Sequence, residues 1–384
     1  MDFDLAGHVR LALRSSDPTL ARAVAAEMNP YSPVGGEEPS DASVILEELG
    51  PDAPALSEMQ LAAGDGFVTG SSGDSLFVIS GGLRASVPDA MHDAPARIRF
   101  DPGYPIDRLF RQVVRPTLQL RALAAGSVAV HAAAVECNGQ AVLVAGWSES
   151  GKTEAALALI EREGQFLTDK WTLVGAGSAE EGDLSGPTAA AFPISVGVRR
   201  WVLGYLPRLR GAIPQRARLR MAAARTAEVA SLPLRSLRRV GVRGLIADGA
   251  ARGVALADRA ALTPSEVAHA YGHEPILHAL PIGLVIVLRT VRDNEVTARE
   301  ADAATVAGRL AASAVTERQG YFALRQRAAY ATGSVNDPSA VAAIESERLH
   351  DMLRATTLVE VAAPFPTDPR RIVAAVQPWL PSPR

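Results

Sequence analysis

Lysine is nearly absent from this sequence of 384 residues. Of its 39 basic residues only two are lysines, Lys152 and Lys170, and all the others are arginines. Arginine presents a planar, forked cation, whereas lysine presents a compact ammonium on a flexible stem. We therefore expect lysine to remain where a compact ammonium is needed, and both positions are candidate functional residues.

Cysteine is represented by Cys137 alone. A single cysteine excludes an internal disulfide and a cysteine-based zinc cluster, and it suits a reducing compartment such as the cytosol. No basic residue stands beside Cys137 in the sequence to activate its thiol, so we do not expect a cysteine nucleophile.

Long apolar runs and a strong net charge are also missing. The longest uncharged apolar run, near residues 280–288, is far shorter than the roughly 20 residues that cross a bilayer. The first residues, Met-Asp-Phe-Asp-Leu, lack the basic and apolar regions of a secretory signal. The formal net charge of −3 provides no overall attraction to nucleic acid or to an anionic membrane. We expect a soluble, cytoplasmic protein with neither a membrane nor a nucleic-acid partner.

A glycine-punctuated motif stands near the middle of the chain. Residues 146–153 read GWSESGKT and match the pattern G-x-x-x-x-G-K-[ST] at every fixed position. The apolar run 141–145 before it predicts a buried strand, and the helix-forming run 153–160 after it predicts a helix. This succession of strand, loop and helix is typical of phosphate-binding loops. The backbone N–H groups of the loop and the dipole of the following helix both bind the phosphate oxygens.

We therefore predict a nucleotide-binding loop at this motif. In such loops the lysine, here Lys152, reaches the β- and γ-phosphates, and the terminal hydroxyl, here that of Thr153, coordinates Mg²⁺. The predicted nucleotide contacts are Gly146, Trp147, Ser148, Glu149, Ser150, Gly151, Lys152, Thr153 and Glu154.

The patterns on either side of the loop predict an α/β fold. Strand-like segments separated by Gly, Ser, Asp and Pro predict a small α+β domain over residues 1–100, with a proline-containing boundary at residues 88–105. A second domain is expected over residues 101–384. Within it, residues 128–136 predict a strand, and Asn138-Gly139 between this strand and the apolar run 141–145 predicts a β-hairpin. The strand that leads into the loop is then antiparallel to its predecessor, so we expect a mixed, partly antiparallel sheet.

Transfer of phosphate to a hydroxyl requires a carboxylate that holds Mg²⁺ or accepts the hydroxyl proton. One candidate is Asp169, in a predicted strand over residues 165–174 that follows the loop helix and can reach the same phosphates. The other is Asp248, just beyond a predicted strand at residues 241–246. The residues alone leave both candidates open.

An arginine-rich segment follows at residues 199–239, with eleven arginines and one acid. It fits a solvated helical face. It also fits a source of one or two arginines, with Arg199 or Arg200 at a strand end the first choices, that clamp a phosphate or an acidic substrate. Only Trp201 and Tyr205 add aromatic rings, so the pattern gives little support to nucleic-acid binding.

Four separated features together resemble a known family. Val130-His131-Ala132-Ala133, the Asn138-Gly139 turn, the loop motif and Phe166-Leu-Thr-Asp169 follow the order and spacing of the C-terminal kinase domain of the HPr kinase/phosphorylase family. The resemblance covers about 45 residues in detail and, in the order of elements, residues 106–380. It implies a P-loop kinase domain related to the phosphoenolpyruvate carboxykinase fold.

The resemblance also implies cofactors and roles. ATP and Mg²⁺ are the implied cofactors, and Thr153 and Asp169 the implied metal ligands. Asp169 corresponds to the first aspartate of the family's acidic pair, with a base or metal-associated role, and His131 corresponds to the active-site histidine. Taken by itself, His131 also fits a half-buried strand histidine. The expected catalytic residues are Asp169, His131 and Lys152.

Three departures from the family pattern limit what it implies. Glu149 replaces a loop glycine, Lys170 replaces the second aspartate, and the family's glycine-rich segment for protein phosphorylation has no convincing counterpart. Phosphorylase activity and HPr as the substrate are therefore not expected. Because neighbouring residues on a strand face opposite sides, we expect Lys170 to point away from Asp169 unless a bulge turns it inward.

The resulting expectation is a kinase that uses ATP and Mg²⁺ to phosphorylate a hydroxyl. The acceptor is a serine-type side chain of a protein or biosynthetic peptide, or a small molecule. The alternatives are a nucleotide-binding regulator or ATPase without an acceptor, and a nucleotide-binding protein made inactive by the lost second aspartate. The sequence leaves open whether the chain forms a homo-oligomer.

Overall fold

The computed structural model describes residues 1–35, 38–64, 67–177, 186–215, 217–219, 221, 259–332 and 337–382. Within these residues the chain is a mixed α/β protein, and both of its large sheets combine parallel and antiparallel strands. The predicted fold class and the partly antiparallel sheet are confirmed. The relation to P-loop kinase domains remains a prediction.

The first sheet is formed by the N-terminal part of the chain. Among the described residues its strands lie in the order β1–β2–β3–β8–β7–β6–β5–β4, with β2, β3 and β8 parallel to one another. Helix α1 (Pro18–Glu27) begins after Asp17, because the Asp17 carboxylate accepts a hydrogen bond from the Thr19 N–H. The strands are β1 (Asp2–Asp4), β2 (Arg10–Arg14), β3 (Ser43–Glu48), β4 (Gln60–Gly64), β5 (Phe67–Ser72), β6 (Ser75–Ser80), β7 (Leu83–Ser86) and β8 (Ala96–Phe100).

One long helical segment connects the two large sheets. It consists of α2 (Ile106–Leu109), a π-helical turn (Phe110–Val114) and α3 (Arg115–Ala124). Its apolar side chains and those of both sheets belong to one continuous cluster of buried residues, which includes Phe3 and Leu358. The two sheets therefore share a hydrophobic core, and the division into two domains at residue 100 remains a prediction.

The second sheet contains the strand that leads into the glycine motif. The strands of this sheet and of the small two-stranded sheet beside it are β9 (Val128–Val130), β10 (Ala132–Cys137), β11 (Gln140–Gly146), β12 (Gln165–Thr168), β13 (Thr172–Gly175), β14 (Thr188–Ala191), β15 (Val196–Arg199), β16 (Arg259–Leu262), β17 (Leu280–Thr290), β18 (Thr297–Glu300) and β19 (Thr357–Ala363). Strands β15 and β16 form the small sheet. The predicted hairpin is confirmed: β10 and β11 pair antiparallel, and Asn138 and Gly139 both have positive φ, as a tight two-residue turn of this kind requires.

Strand β11 lies in the interior of the second sheet, with β10 antiparallel on one side and β17 parallel on the other. The remaining helices are α4 (Lys152–Arg162), α5 (Pro207–Ala212), α6 (Pro264–Ala270), α7 (Ala303–Glu317), α8 (Gln319–Thr332), α9 (Pro338–Leu353) and α10 (Pro369–Val376). Helices α4 and α10 cover one face of the sheet, while α3, α7 and α9 pack on the other. Because both faces are covered, residues 141–145 are all apolar and buried. No helix in the described ranges is long and apolar enough to span a membrane.

Two predicted strands are broken, and both breaks lie at the same level of the sheet. The strand predicted over residues 128–136 is interrupted at His131, and the strand predicted over residues 165–174 is interrupted at residues 169–171. On one side of the breaks Val130 pairs with Thr172, and on the other Ala134 pairs with Thr168. Apolar residues flank each break on both sides, so the sequence pattern reads as one strand in each case. The strand predicted near residues 241–246 lies outside the described residues.

Candidate functional site

The glycine motif forms a tight loop between β11 and α4. Gly146 has a φ of 148°, and a Cβ atom there would lie 2.6 Å from the Ser150 Oγ and 2.7 Å from the Leu288 carbonyl oxygen. Gly151 has a φ of 96° and caps α4. These two positions therefore require glycine, and they turn the chain so that α4 begins at Lys152, with its N-terminus towards the loop.

The Lys152 ammonium lies across this loop. Its Nζ donates hydrogen bonds to the carbonyl oxygens of Gly146 and Trp147, at 3.0 and 2.8 Å. Burial lowers the pKa of Lys152 to about 8, although Asp169, Glu317 and Glu154 oppose that shift. The ammonium is thus a desolvated cation held beside the helix N-terminus, where an anion would find both a positive charge and free N–H groups.

Thr153 and Asp169 are brought into direct contact. The Thr153 Oγ1 donates a hydrogen bond to the Asp169 Oδ1 at 2.8 Å. Asp169 is 5% exposed, and burial raises the pKa of its carboxyl above the ordinary value, while the Thr153 hydrogen bond acts in the opposite direction. A hydroxyl and a carboxylate at the start of the loop helix are oxygen ligands of the kind Mg²⁺ prefers. No cluster of three or more His, Cys, Asp or Glu side chains suited to a metal occurs in the described ranges, so further ligands would come from phosphate and water.

The expectation that Lys170 points away from Asp169 is wrong. β12 ends at Thr168, and the Trp171 N–H donates to the Asp169 carbonyl at 2.7 Å, which closes a three-residue turn around Lys170. Lys170 has a φ of 65°, a left-handed conformation that is costly for a residue with a Cβ. The turn replaces the alternation of a strand, and Lys170 and Asp169 both line one cleft.

His131 lies in the same cleft, at the break between β9 and β10. Its Nδ1 is 2.9 Å from the Ser313 Oγ, and its ring centroid is 5.5 Å from that of Trp171. Burial, together with the charges of Lys152 and Lys170, lowers the pKa of His131 to about 3. The imidazole is therefore neutral at physiological pH. In that form it can accept or donate a hydrogen bond, but it is a weak base.

Glu149 extends from the tip of the loop to two arginines of the small sheet. It has a φ of 62° and lies 2.7 Å from the Arg199 guanidinium and 3.4 Å from that of Arg259. Arg199 also approaches Glu154 at 3.7 Å and lies over the Phe365 ring, 5.3 Å from its centroid. Of the two predicted strand-end arginines, Arg199 lines the cleft, and Arg200 is not among the described lining residues. The candidate carboxylate Asp248 and the part of the basic segment from residue 222 onward lie outside the described residues.

These groups surround one cleft of about 620 Å³. Among the predicted nucleotide contacts, Ser148, Glu149, Ser150, Gly151, Lys152, Thr153 and Glu154 line it. Gly146 and Trp147 are not part of the described lining, and Trp147 is 58% exposed. The predicted residues Asp169 and His131 line the cleft as well. The geometry therefore brings the two catalytic candidates and the loop together, and their roles stay predictions.

Sequence reasoning missed Glu317, the last residue of α7. Its carboxylate lies 3.8 Å from the Lys170 Nζ and 3.8 Å from the His131 Nδ1. Glu317 thus places a carboxylate close to Lys170, the residue that stands where the family pattern has its second aspartate. Nothing near residue 317 in the sequence marks it, because its importance arises only from the packing of α7 beneath the break at His131. Arg111, Arg115, Gln119 and Arg318 line the cleft too and were likewise not predicted.

In comparisons with known proteins, no protein-family model matches the chain, and no curated protein matches it either.

Proposed function

We propose that this chain is a kinase that uses ATP and Mg²⁺ to transfer the γ-phosphate to a hydroxyl group. The acceptor would be a serine-type side chain of a protein or peptide, or a small molecule. The contact between Thr153 and Asp169 carries this proposal, because it joins the last residue of the glycine motif to a buried carboxylate across 2.8 Å. A chance motif match would not require a carboxylate at that position.

The phosphate-binding groups of the proposed site are the loop and Lys152. The first N–H groups of α4 have no partner within the helix, and the helix dipole favours negative charge at this end. Lys152 is desolvated and bonded only to carbonyl oxygens among its described hydrogen bonds. Phosphate oxygens would replace those carbonyls and raise the pKa of the ammonium, so binding and protonation support each other.

Mg²⁺ would be held by the Thr153 hydroxyl and the Asp169 carboxylate. It supplies positive charge to the β- and γ-phosphates when bound. Burial raises the pKa of Asp169 although the charges of Lys152 and Lys170 act in the opposite direction, so a bound divalent cation would further favour the ionised form. Two protein ligands leave positions for phosphate oxygens and water, which is the usual arrangement for Mg²⁺.

Transfer of phosphate to a hydroxyl also requires a group that accepts the hydroxyl proton. Transfer forms a bond between the acceptor oxygen and the γ-phosphorus, breaks the bond from that phosphorus to ADP, and releases the hydroxyl proton. Glu317 lies 3.8 Å from the His131 Nδ1, and Asp169 lines the same cleft, so we assign the proton to one of these two carboxylates. His131 is neutral and hydrogen-bonded to Ser313, so we assign it to orienting the hydroxyl rather than to proton storage.

A nucleotide-binding regulator without an acceptor is the second candidate function. The contacts of Glu149 favour it, because they link the loop to Arg199 of β15 and Arg259 of β16. A rearrangement of the loop on nucleotide binding would therefore change the small sheet. In this case ATP would bind, and no phosphorylated acceptor would form.

The two candidates are distinguished by following the γ-phosphate. The protein is incubated with Mg²⁺ and γ-labelled ATP, alone and with seryl peptides or small hydroxyl compounds. Labelled acceptor supports the kinase, provided that the Asp169→Asn protein does not produce it. Release of free phosphate alone, or binding without turnover, contradicts the kinase and favours the regulator or ATPase.

A further inference from the structure

Part of the cleft lining adjoins Trp171 and is not used by the proposed reaction, and we call this part the far wall. Five residues form this far wall: Asp107, Arg111, Arg115, Gln119 and Arg318. The first four come from the helical segment between the sheets, and Arg318 follows α7. The Arg318 guanidinium lies over the Trp171 ring, 5.8 Å from its centroid, which joins the far wall to the histidine end of the cleft.

The helical segment presents a row of polar side chains to the cleft at every fourth position. In an α-helix of 3.6 residues per turn, such a row drifts by about 40° at each step. The π-helical turn over Phe110–Val114 is wider, and it counteracts this drift in the middle of the row. As a result Asp107, Arg111, Arg115 and Gln119 all line the same cleft. Single π-helical turns often occur at functional sites.

Two polar atoms of the far wall are buried without a partner. The Arg318 side chain is 1% exposed, yet its Nη1 has no hydrogen-bond partner among the described residues. The same holds for the Oε1 of Gln119, a residue that is 2% exposed. Buried polar atoms almost always have partners in folded proteins. The Arg318 nitrogen requires an acceptor and the Gln119 oxygen requires a donor, so the two together indicate a ligand that carries both an anionic group and a hydroxyl.

The three arginines of the far wall differ in whether a carboxylate pairs with them. Glu27 lies 2.6 Å from Arg115, and the buried Glu345 accepts a hydrogen bond from Arg318. Arg111 is exposed and forms no hydrogen bond or ion pair within the described part of the chain. Asp107 is the acid nearest to it along the helix. An incoming anion would thus meet one unpaired guanidinium, a second with an unpartnered nitrogen, and a carboxylate one turn away.

We propose that the far wall is an acceptor subsite that binds the carboxylate or phosphate group of a small hydroxyl-bearing acid. This inference rests on the proposed kinase function, and it narrows the acceptor from any hydroxyl compound to an anionic one. Guanidinium groups match carboxylate and phosphate oxygens in pairs, which orients a ligand as well as attracting it. The anion would lie at the far wall, and the hydroxyl would extend past His131 towards the phosphate loop.

The test is calorimetric titration of the full chain with its nucleotide site saturated by ADP and Mg²⁺. The probes are glycerate, glycerol 3-phosphate and glycerol, which share hydroxyl groups and differ in their anion. We expect at least one anionic probe to bind ten or more times more tightly than glycerol. Preference for glycerate assigns a carboxylate ligand, and preference for glycerol 3-phosphate assigns a phosphate. If neither binds more tightly than glycerol, the subsite proposal is overturned.

Two variants of the far wall should move this affinity in opposite directions. Arg111→Ala should weaken binding of the preferred anion about tenfold, because it removes the unpaired cation. Asp107→Asn should strengthen it a few-fold, because it removes the neighbouring negative charge. Arg292→Ala removes an exposed arginine elsewhere and is the matched control, with unchanged binding expected. Equal affinity in the Arg111→Ala and Arg292→Ala proteins would contradict the assignment.

Failure of the kinase proposal can be told apart from failure of the subsite. If ADP does not bind, the kinase proposal fails, and the anionic probes are titrated into the free protein and into the Lys152→Ala variant. Binding that survives Lys152→Ala but is lost in Arg111→Ala supports the subsite without any nucleotide. Binding that is lost in Lys152→Ala and kept in Arg111→Ala places the anion at the glycine loop and overturns the subsite.

Discussion

Folding shifts the pKa values of the Arg84–Asp101 ion pair in the first sheet and those of the charged groups in the cleft in opposite directions. The Arg84 guanidinium donates two hydrogen bonds to the Asp101 carboxylate, at 2.7 and 2.9 Å. These bonds raise the pKa of Arg84 and lower that of Asp101, so folding favours both charged forms. In the cleft, burial lowers the pKa of Lys152 and raises that of Asp169, so folding disfavours their charged forms.

The ion pair of the first sheet therefore stabilises the fold, whereas the burial of the charged groups in the cleft lowers the free energy of unfolding. Arg84 and Asp101 satisfy each other and need no ligand. Lys152 and Asp169 are buried without forming a direct ion pair among the described contacts, and phosphate and Mg²⁺ would supply the missing opposite charges. Perturbed pKa values of this kind concentrate at functional sites. The following predictions test this contrast, from the largest expected effect to the smallest.

The Asp169→Asn variant should lose turnover about a thousandfold, a loss typical of removing a key electrostatic group from an active site. The amide can still accept the Thr153 hydrogen bond, so the local geometry is kept. Because burial already disfavours the carboxylate, we expect the thermal midpoint to stay unchanged or to rise. Transfer rates and thermal unfolding of the purified variant measure both effects.

The Asp101→Asn variant is the counterpart in the first sheet. It breaks a charge-assisted pair, so the free energy of unfolding should fall by about 2 kcal/mol while turnover is retained. Denaturant unfolding and the same transfer assay provide the comparison. A loss of activity without a loss of stability at Asp101 would remove the distinction between the two regions.

Replacing Lys152 by Ala should reduce transfer by about a hundredfold or more, because it removes the ammonium that lies across the loop and would contact the β- and γ-phosphates. Lys152→Arg should recover only part of this loss, since a planar fork does not fit between the Gly146 and Trp147 carbonyls as an ammonium does. Steady-state kinetics of the two variants test it. Normal turnover in the Arg variant would contradict our interpretation of the scarce lysines.

Nucleotide affinity should depend on pH through Lys152. Its pKa in the folded chain, about 8, lies below its ordinary value of 10.5, so the free site loses its cation as the pH rises through 8. Affinity for ADP should therefore fall above pH 8, by up to about tenfold per pH unit, with proton uptake on binding. Burial of the charged Lys152 also lowers the free energy of unfolding. This loss of stability has its full size below pH 8 and disappears as the pH approaches 10.5. Calorimetry in buffers of different ionisation enthalpy measures the proton, and a flat profile would contradict the desolvated lysine.

Lys170→Gly should produce the smallest effect, with stability and activity changing in opposite directions. Glycine relieves the left-handed conformation at φ 65°, which predicts a gain of about 1 kcal/mol in the free energy of unfolding. Loss of the ammonium from the cleft should lower turnover by several-fold, because Lys170 lies 3.8 Å from Glu317 and lines the cleft. Lys170→Arg is the control that keeps both the charge and the Cβ. A variant with lower stability would show that the turn is not strained.

The local parts of the fold could be predicted from sequence because their causes are local. The Asn138-Gly139 turn requires two positive φ angles, and the hairpin follows from that requirement. Caps at Asp17 and Asp368 begin α1 and α10, since each carboxylate bonds an N–H two residues on. The glycine loop likewise depends on Gly146 and Gly151, whose backbone conformations exclude other residues.

The remaining site could not be predicted because it depends on packing between distant segments. Lys170 lies between two apolar stretches that together read as one strand, and only the pairing with β9 and β10 shows where the strand breaks. Glu317 and Arg318 stand at the C-terminal end of α7, where no local motif marks them. Arg111 reaches the cleft through a π-helical turn, for which the sequence 110–114 gives no distinctive signal.

The pairing of Thr153 with Asp169 as a Mg²⁺ site for a bound nucleotide is tested most directly by ADP affinity, measured with and without Mg²⁺ in the wild-type and Asp169→Asn proteins. The account predicts that Mg²⁺ strengthens ADP binding about tenfold or more in the wild type and has little effect in the variant. An equal effect of Mg²⁺ on both proteins, or no ADP binding by either, would contradict it.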